Sequence, residues 1–537
     1  MLRRTLLAAS AAALILPAAA SAKDFCVAAP AGCSGTSAPA SGLAEVLAAA
    51  ESNGTADRVF LGKMDLIGAP LTYHSAEPVE IVGSGSDKTF IRSAEADGAL
   101  TLHGRAASIR GVNVQSADQG QFALRLIGAH AEDVAVEVDI DPSLAGAVVV
   151  QDGASIARSR VRLAGNAGIV NLGGRVSITD VEIDNPELYG VLNAGNETTI
   201  RRSRIHAAGG VVGARGHVLV ADSLLDLRGI PGQAIGVAVA DSIGDVAGPI
   251  DLDAVRVTIV GDAPDDSKFI GAAAVSTNAV TNAEIHLRDS VITGVGTPFQ
   301  RSSAAGVTHI DADRVAHADP VDDSLDIGFG ETEETNPIPG APALDAQLRP
   351  QAGSPLVDAA GALADGSDVS GKPRMVDGNG DCTAKADIGA FELQAAANPA
   401  CVPAPQTAPA PQPQPQPQPG DGSPQPAADA APVLSGLTAT KRIHRRRTAP
   451  KLVSARGAIR FTVSEATTVE LRFKRIGKAR AKVLRIQAPA GGDRLRFHGQ
   501  LPGGARLKLG RYRVTAVAID GAGQHSAPQR ARFRLVR

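Results

Sequence analysis

Two stretches 22 residues apart, ITDVEID from Ile178 and IRRSRIH from Ile200, keep their apolar positions and exchange their charges. Asp180, Glu182 and Asp184 of the first become Arg202, Arg204 and His206 in the second. The same frame recurs with ends at Val114, Val136, Val161, Ile183, Ile205, Leu225, Val257, Ile292 and Val315, at intervals of 20 to 35 residues. Five places before each end stand Ile109, Ala131, Ile156, Ile178, Ile200, Val220, Leu252, Leu287 and Ile310, all apolar. Two places before each end the residue is small or β-branched, Asp313 excepted. A second signature follows the frame: GIVN at Gly168, GVLN at Gly190 and GVVG at Gly210.

A fixed period of this kind signals a repeat architecture. Short β-branched runs broken by Gly and Asn read as strands and turns. A turn of about 22 residues is too short for a helical hairpin, and the ladder of a leucine-rich repeat is missing. The physical solution is a parallel β-helix whose coils stack at about 4.8 Å, with equivalent Ile and Val residues forming inward columns. The charge exchange then has a reason. Three places before the frame ends the series runs Asp133, Arg158, Asp180, Arg202, Asp222, and one place before it runs Arg160, Glu182, Arg204. Stacked in register, each carboxylate lies beside a guanidinium, which removes like-charge repulsion and fixes register.

Residues 40–92 read as a short amphipathic helix, apolar strands and a Gly-rich turn. They resemble the N-terminal cap of right-handed parallel β-helix proteins of the pectate-lyase-like class, and the resemblance runs to about residue 330. Beyond it, Gly353-Ser354-Pro355, Asp358, Asp368-Val369-Ser370-Gly371, Arg374 and Asp387-Ile388-Gly389-Ala390-Phe391-Glu392 resemble the choice-of-anchor Q segment of exported bacterial β-helix proteins. That resemblance implies a secreted or cell-surface location and no particular activity. The Pro-Gln run that follows favours polyproline II, a semi-rigid arm. The final hundred residues alternate as strands and resemble Ig-like modules of surface proteins.

The expected fold is therefore all-β: a right-handed parallel β-helix, a Pro-rich linker and a small antiparallel β-sandwich. Its divisions are a signal peptide at 1–22, a cap and first coils at 23–100, and coils at 101–330. A closing segment at 331–398, a linker at 399–432 and a basic Ig-like module at 433–537 follow. Arg3 and Arg4, the apolar run Leu6–Leu16 and Ala20-Ser21-Ala22 form an export signal, the run being shorter than the roughly 20 residues a membrane span needs. No later segment is apolar and long enough to cross a membrane. Four cysteines, all beyond that site, fit an oxidising compartment. Three pairings are open, of which Cys26 with Cys33 and Cys382 with Cys401 are the local ones.

The net charge of −3 conceals two bodies. Residues 1–432 hold 28 Lys+Arg and 52 Asp+Glu, whereas residues 433–537 hold 25 and 4. Alternation places Arg472, Lys474, Arg494, Arg496, Arg511 and Arg513 on solvent faces. Such a module binds anionic envelope polymers or lipid headgroups, docks on the acidic coils, or is simply solvated. Export makes nucleic acid a poor partner. With aromatics at 3% and Trp absent, a carbohydrate site of stacked aromatic platforms is excluded.

β-Helix lyases use carboxylates with a basic Arg or Lys, and hydrolases use paired carboxylates to move protons on both sides of the glycosidic bond. The nearest constellation is Asp262, Asp265, Asp266 and Lys268, in a long interval that suggests a protruding loop. Asp377, Asn379 and Asp381 alternate like the start of a calcium loop, with Asp387 as a further oxygen ligand and calcium as the implied cofactor. An Asx-rich turn beside a disulfide explains the same pattern. The histidines are scattered without metal-like spacing, and ARGHV around His217 lacks a catalytic context. The reading is an exported, envelope-associated protein, structural or adhesive, touching cell-wall or extracellular polysaccharide. The alternative is a polysaccharide lyase or glycoside hydrolase.

Overall fold

The computed structural model describes residues 22–93, 95, 97–117, 121–141, 146–243, 248–278, 281–318, 326–339, 342–361 and 366–395. It also describes 432–440, 442–444, 451–453, 459–464, 467–475, 481–488, 491–500, 507–519, 526 and 528–536. The expected signal peptide but for Ala22, the expected linker but for Pro432, and Cys401 lie outside the described residues, as do the side chains of Arg494 and Arg496. The chain divides into two compact units, 1–406 and 407–537.

The first unit is a parallel β-helix. Each coil contributes to three parallel sheets. The first sheet stacks Asp57–Leu61, Val79–Val82, Ala107–Arg110 and their successors to Gly330–Thr335. The second runs from Met64–Ile67 through Ala135–Asp141 and Leu224–Asp226 to the end of Val307–Ala316. The third runs from Leu71–His74 through Val148–Gln151 and Phe269–Ser276 to Asp326–Ile327. Ile156 pairs with Ile178 and Ile178 with Ile200. All three are 0% exposed, so the aliphatic columns form the core. At the N-terminal end the helix Leu43–Ser52 buries Leu43, Val46, Leu47 and Ala50, the i, i+3, i+4, i+7 stripe of a core-facing helix.

Strand register corrects two frame positions. Leu225 pairs with Ile259, not Val257, and Val291 pairs with Ala316, which moves the last frame from Val315 to His317. Each error is a slip of two residues, which keeps apolar residues facing inward and so escapes detection by pattern. In the true register the small position holds Val257, Ser290 and Val315, and the exception at Asp313 disappears. The corner series also lengthens. Asp133, Arg158, Asp180, Arg202, Asp222, Arg256, Asp289 and Arg314 follow one another through eight coils, all at left-handed φ of +46° to +56°.

This corner joins the first and second sheets. Its backbone stays in the ladder: the N–H of Asp180 donates to Arg201 and that of Arg202 to Ala221. The side chains pair between coils. Arg202 grips Asp180 with two bonds (2.7 and 2.9 Å), Arg256 grips Asp222 (2.7 and 3.1 Å), and Arg314 bonds Asp289 at 2.6 Å. A left-handed L-residue is disfavoured by about 1–2 kcal/mol, and these charge-assisted bonds offset that strain. Arg202→Asp places a third carboxylate between Asp180 and Asp222. The expected loss is about 1–2 kcal/mol in urea unfolding of the full chain, against little change for Arg202→Lys.

The second signature has an equally physical cause. Gly168, Gly190, Gly210, Gly236 and Gly271 stand over one another where the chain enters the third sheet. A Cβ on Gly190 would lie 2.6 Å from the Gly210 carbonyl oxygen and collide with Ile205 Cγ2. Gly168, Gly236 and Gly271 meet Ile183, Ile259 and Ile292 in the same way. The isoleucine column thus dictates the glycine column. The Asn of the signature stacks too: Asn171 Nδ2 donates to Asn193 Oδ1 at 2.9 Å.

The segment 342–395 is mostly irregular and lies along the outside of the second sheet. There Leu224, Val260, Val369, Ala390 and Phe391 form one cluster, and Val291, Ala316, Leu356 and Ile388 another. The outward residues of the second sheet are charged from Arg160 to His206, and those that follow include Leu224, Val260, Val291 and Ala316, on which the segment docks. Cys26 and Cys33 form a disulfide. Cys382 is also disulfide-bonded, and its expected partner Cys401 lies outside the described residues.

The second unit is a β-sandwich. One sheet orders Leu434–Ala439, Ile459–Val463, Gly491–Arg496 and Lys451–Val453, all antiparallel. The other orders Arg442–His444, Gln529–Val536, Gly510–Ile519, Thr467–Arg475 and Ala481–Ala488, antiparallel except for its first pair. Phe461, Phe473, Phe497 and Phe533 fill the space between.

Candidate functional site

The stretch where the second sheet is still charged, and the segment has just begun to cover it, forms a groove of about 680 Å³. Its floor is Arg160, Arg162, Glu182, Asp184, Arg204, His206, Asp226 and Arg228; its roof includes Leu348, Arg349, Lys372 and Phe391. A second hollow of about 610 Å³ shares Arg162 and Asp184 and continues along the same sheet to Arg92 and Ile67. Together they follow the stacking direction across eight coils, roughly 34 Å at the strand spacing.

Six cations (Arg160, Arg162, Arg204, Arg228, Arg349 and Lys372) face three carboxylates in the covered half. Arg160 bonds Glu182 at 3.1 Å, Arg162 lies 3.5 Å from Asp184, and Arg228 reaches Asp226 at 2.6 Å. Arg204 lies over the Phe391 ring at 5.4 Å. Among the described residues neither Arg204 nor Lys372 has a carboxylate within ion-pair distance. His206 Nδ1 is 2.9 Å from Asp184, and its Nε2 donates to the Arg228 carbonyl at 3.0 Å. Burial alone would lower this imidazole, but the Asp184 carboxylate and the Arg228 carbonyl outweigh it and hold its pKa above the ordinary value. An excess of positive charge in an otherwise acidic unit, in an elongated open trough, suits a linear anionic chain.

The roof is held by Asp368, Arg374 and the stretch Asp387–Glu392. Arg374, 0% exposed, sits 3.0 Å from Asp222 of the corner series and donates to the Ala390 carbonyl at 2.8 Å. Asp368 accepts from the N–H groups of Ser370, Lys372 and Glu392. The Ala390 N–H donates to Thr258 Oγ1 and the Gly389 N–H to the Asp289 carbonyl. Burial pushes Asp387 up to about 6 and Glu392 up to about 8, and the neighbouring carboxylates Asp358 and Asp387, respectively, add to each rise.

A second polar group sits on the outer face of the first sheet. Asp253, its side chain 3% exposed, lies 3.1 Å from His217 Nε2 and 3.8 Å from Arg288. His286 lies between Asp311 (3.3 Å to Nδ1), Asp251 (3.8 Å) and Glu284 (3.9 Å). Burial raises Asp253, yet the His217 bond and nearby cations hold it below the usual range; burial lowers His217, yet Asp253 holds it above. Sequence reading passed over these histidines because coil stacking joins residues 33 to 36 apart. The pairings Asp251–Glu284 and Asp253–His286 appear once the two-residue slip is corrected.

The residues singled out for catalysis lie elsewhere. Asp262 lies near the end of the strand Thr258–Ala263, and Asp265, Asp266 and Lys268 occupy the short exposed turn before Phe269–Ser276, not a long loop. Asp262 accepts the Gly229 N–H at 2.9 Å, and Asp266 accepts the Lys268 N–H of its own turn. Asp377 spends its oxygens on the N–H groups of Gly380, Asp381 and Cys382, and Asn379 and Asp381 close the next turns. Asp387 lies apart from them, accepting the N–H groups of Asp358 and Leu393. Among the described residues no group of three His, Cys, Asp or Glu side chains is placed to hold a metal ion. No described helix is long and apolar enough to cross a membrane.

No family model matches the sequence, and no curated protein matches it. Solved structures do. A rice weevil pectin methyl esterase is similar with TM-score 0.29 and 12% identity, over 55% of this chain and 85% of that one. A PL6 family alginate lyase is similar with TM-score 0.29 and 11% identity, over 57% of this chain and 54% of that one. The Agl-KA catalytic domain is similar with TM-score 0.27 and 12% identity, over 55% and 65%. The fold itself rests on the strand register described above.

Proposed function

We propose that this is an exported, envelope-associated protein whose β-helix holds a linear anionic polysaccharide along the second sheet. The observation that carries the reading is the cation excess in the covered groove, where, among the described residues, Arg204 and Lys372 have no carboxylate within ion-pair distance. Export rests on the basic, apolar and small-residue order of residues 1–22 and on the Cys26–Cys33 disulfide. The role is adhesive: the site is an open trough with bound charge pairs rather than a closed pocket. Titration calorimetry with polygalacturonate and with neutral dextran tests it, on the full chain carrying Arg513→Glu and Arg532→Glu so that the basic second unit does not contribute. Binding to polygalacturonate alone is expected, weakened at least tenfold in Arg162→Glu/Arg204→Glu; equal binding of dextran, or an unaffected variant, contradicts it. Because His206 is protonated more readily than a free imidazole, affinity should rise as pH falls through neutrality. His206→Gln should flatten that dependence.

A hydrolase or lyase is the second reading, favoured by the buried Asp253 between His217 and Arg288. It predicts release of reducing or unsaturated ends from uronate polymers, abolished by Asp253→Asn and retained in Asp265→Asn and Asp266→Asn.

A further inference from the structure

The five-stranded sheet of the second unit presents cations in rows. Register sets Lys474 beside Arg513 and Arg513 beside Arg532, and sets Arg511 beside Arg534. All five are exposed, while the alternating Phe473, Tyr512, Val514, Phe533 and Leu535 are buried, so these cations share the solvent face. The carboxylate on this face among the described residues is Glu470. It is 5% exposed and is held by Arg472 at 2.6 Å and Arg485 at 2.8 Å. Like charges directly opposite on neighbouring strands oppose folding. Along the middle coils of the β-helix this same chain instead faces Arg160 with Glu182 and Arg202 with Asp180. On the sandwich it does the reverse, along three successive strands.

We infer that this face is a binding site for a linear polyanionic glycan, one carrying closely spaced carboxylate or phosphate groups. Adjacent strands set the cations about 5 Å apart, and alternate residues of one strand about 7 Å apart. A flexible chain with one anion per repeat unit can meet several of them at once, and guanidinium forks accept either anion bidentately. Phe473, Tyr512 and Phe533 of this sheet are buried, so these rings offer no platform on which nucleic-acid bases would stack. The inference deepens the envelope-association reading by naming what holds the protein there. It does not depend on the groove, which lies in the other unit.

The test uses the full chain in the Arg162→Glu/Arg204→Glu background, so that loss of the groove cannot be mistaken for loss of this face. The probes are polygalacturonate, poly(glycerol phosphate), vesicles containing phosphatidylglycerol, and duplex DNA. Binding to one or both polymers at low salt is expected, fading as salt screens it, with the favoured polymer identifying the anion. Adding Arg513→Glu and Arg532→Glu should weaken binding at least tenfold with an unchanged unfolding midpoint, whereas Arg513→Lys and Arg532→Lys should keep most of it. Unchanged binding after charge reversal, no binding to either polymer at low salt, or tighter binding to vesicles or DNA than to both polymers would overturn the inference.

Discussion

Arg374→Leu should destabilise the β-helix unit by about 1–3 kcal/mol, the cost of leaving a buried carbonyl without its charged donor. The guanidinium is 0% exposed, lies 3.0 Å from Asp222 and 3.7 Å from Glu392, and donates to the Ala390 carbonyl. Leucine leaves that carbonyl without its donor and takes from Asp222 one of its two guanidinium partners, Arg256 remaining. The loss should be local at first. Hydrogen exchange should quicken at Gly389 and Ala390, whose N–H groups bond Asp289 and Thr258, while the Ile178 and Ile200 amides stay protected. Unchanged exchange at Gly389 and Ala390 would show that the segment is held by its apolar contacts alone. The same latch is pH-sensitive. Asp387 and Glu392 are held protonated to about 6 and about 8, against ordinary values of 3.8 and 4.5. The folded state therefore binds more protons than the unfolded chain, and its stability falls as pH rises from about 4 through 8.

Gly190→Ala is the other large effect. One methyl group would enter a space bounded by the Gly210 carbonyl oxygen at 2.6 Å and by Ile205. Neither can withdraw, because Gly210 and Ile205 belong to the next coil's ladders. Overpacking a well-filled core costs about 1–3 kcal/mol, and here backbone must move, so the upper end or failure to fold is expected. Gly229→Asn is the control. Gly229 has a left-handed φ of +70° but open space around it, and asparagine tolerates that conformation. Equal midpoints for the two variants would mean that the glycine column is not enforced by packing.

The fold was legible because inward columns repeat at fixed offsets. Ile156, Ile178 and Ile200 announce the stacking without any coordinates. Register was legible only where coils are near 22 residues long. The long connections after Leu227 and Ala240 hid a two-residue slip that hydrophobic pattern cannot see, since side-chain direction has period two. Charge could have caught it. Asp222, Arg256, Asp289 and Arg314 continue the alternation only in the true register, and requiring alternation would have placed Ile259 correctly. The groove was not legible, because its floor at Arg160–Arg228 and its roof at Leu348–Phe391 meet through packing remote in sequence. The motif residues Asp368, Arg374 and Glu392 stood out in the sequence, but nothing local reveals that they fasten a roof. The turn at Asp262–Lys268 drew attention by composition, and backbone N–H groups use its carboxylates, that of Gly229 for Asp262 and that of Lys268 for Asp266.

In-register stacking of successive coils supports every step above, and paired cysteines test it directly. Thr179 and Arg201 are register partners on adjacent coils, at the roughly 5 Å separation that a disulfide spans. Arg201 and Ala221 are partners on the next pair, so Thr179 and Ala221 stand two coils apart. Mild oxidation of Thr179→Cys/Arg201→Cys, followed by mass analysis of the digested chain, should yield the linked peptide in high proportion, and Thr179→Cys/Ala221→Cys should yield none. Equal linkage in both variants, or none in the first, would contradict the stacked register.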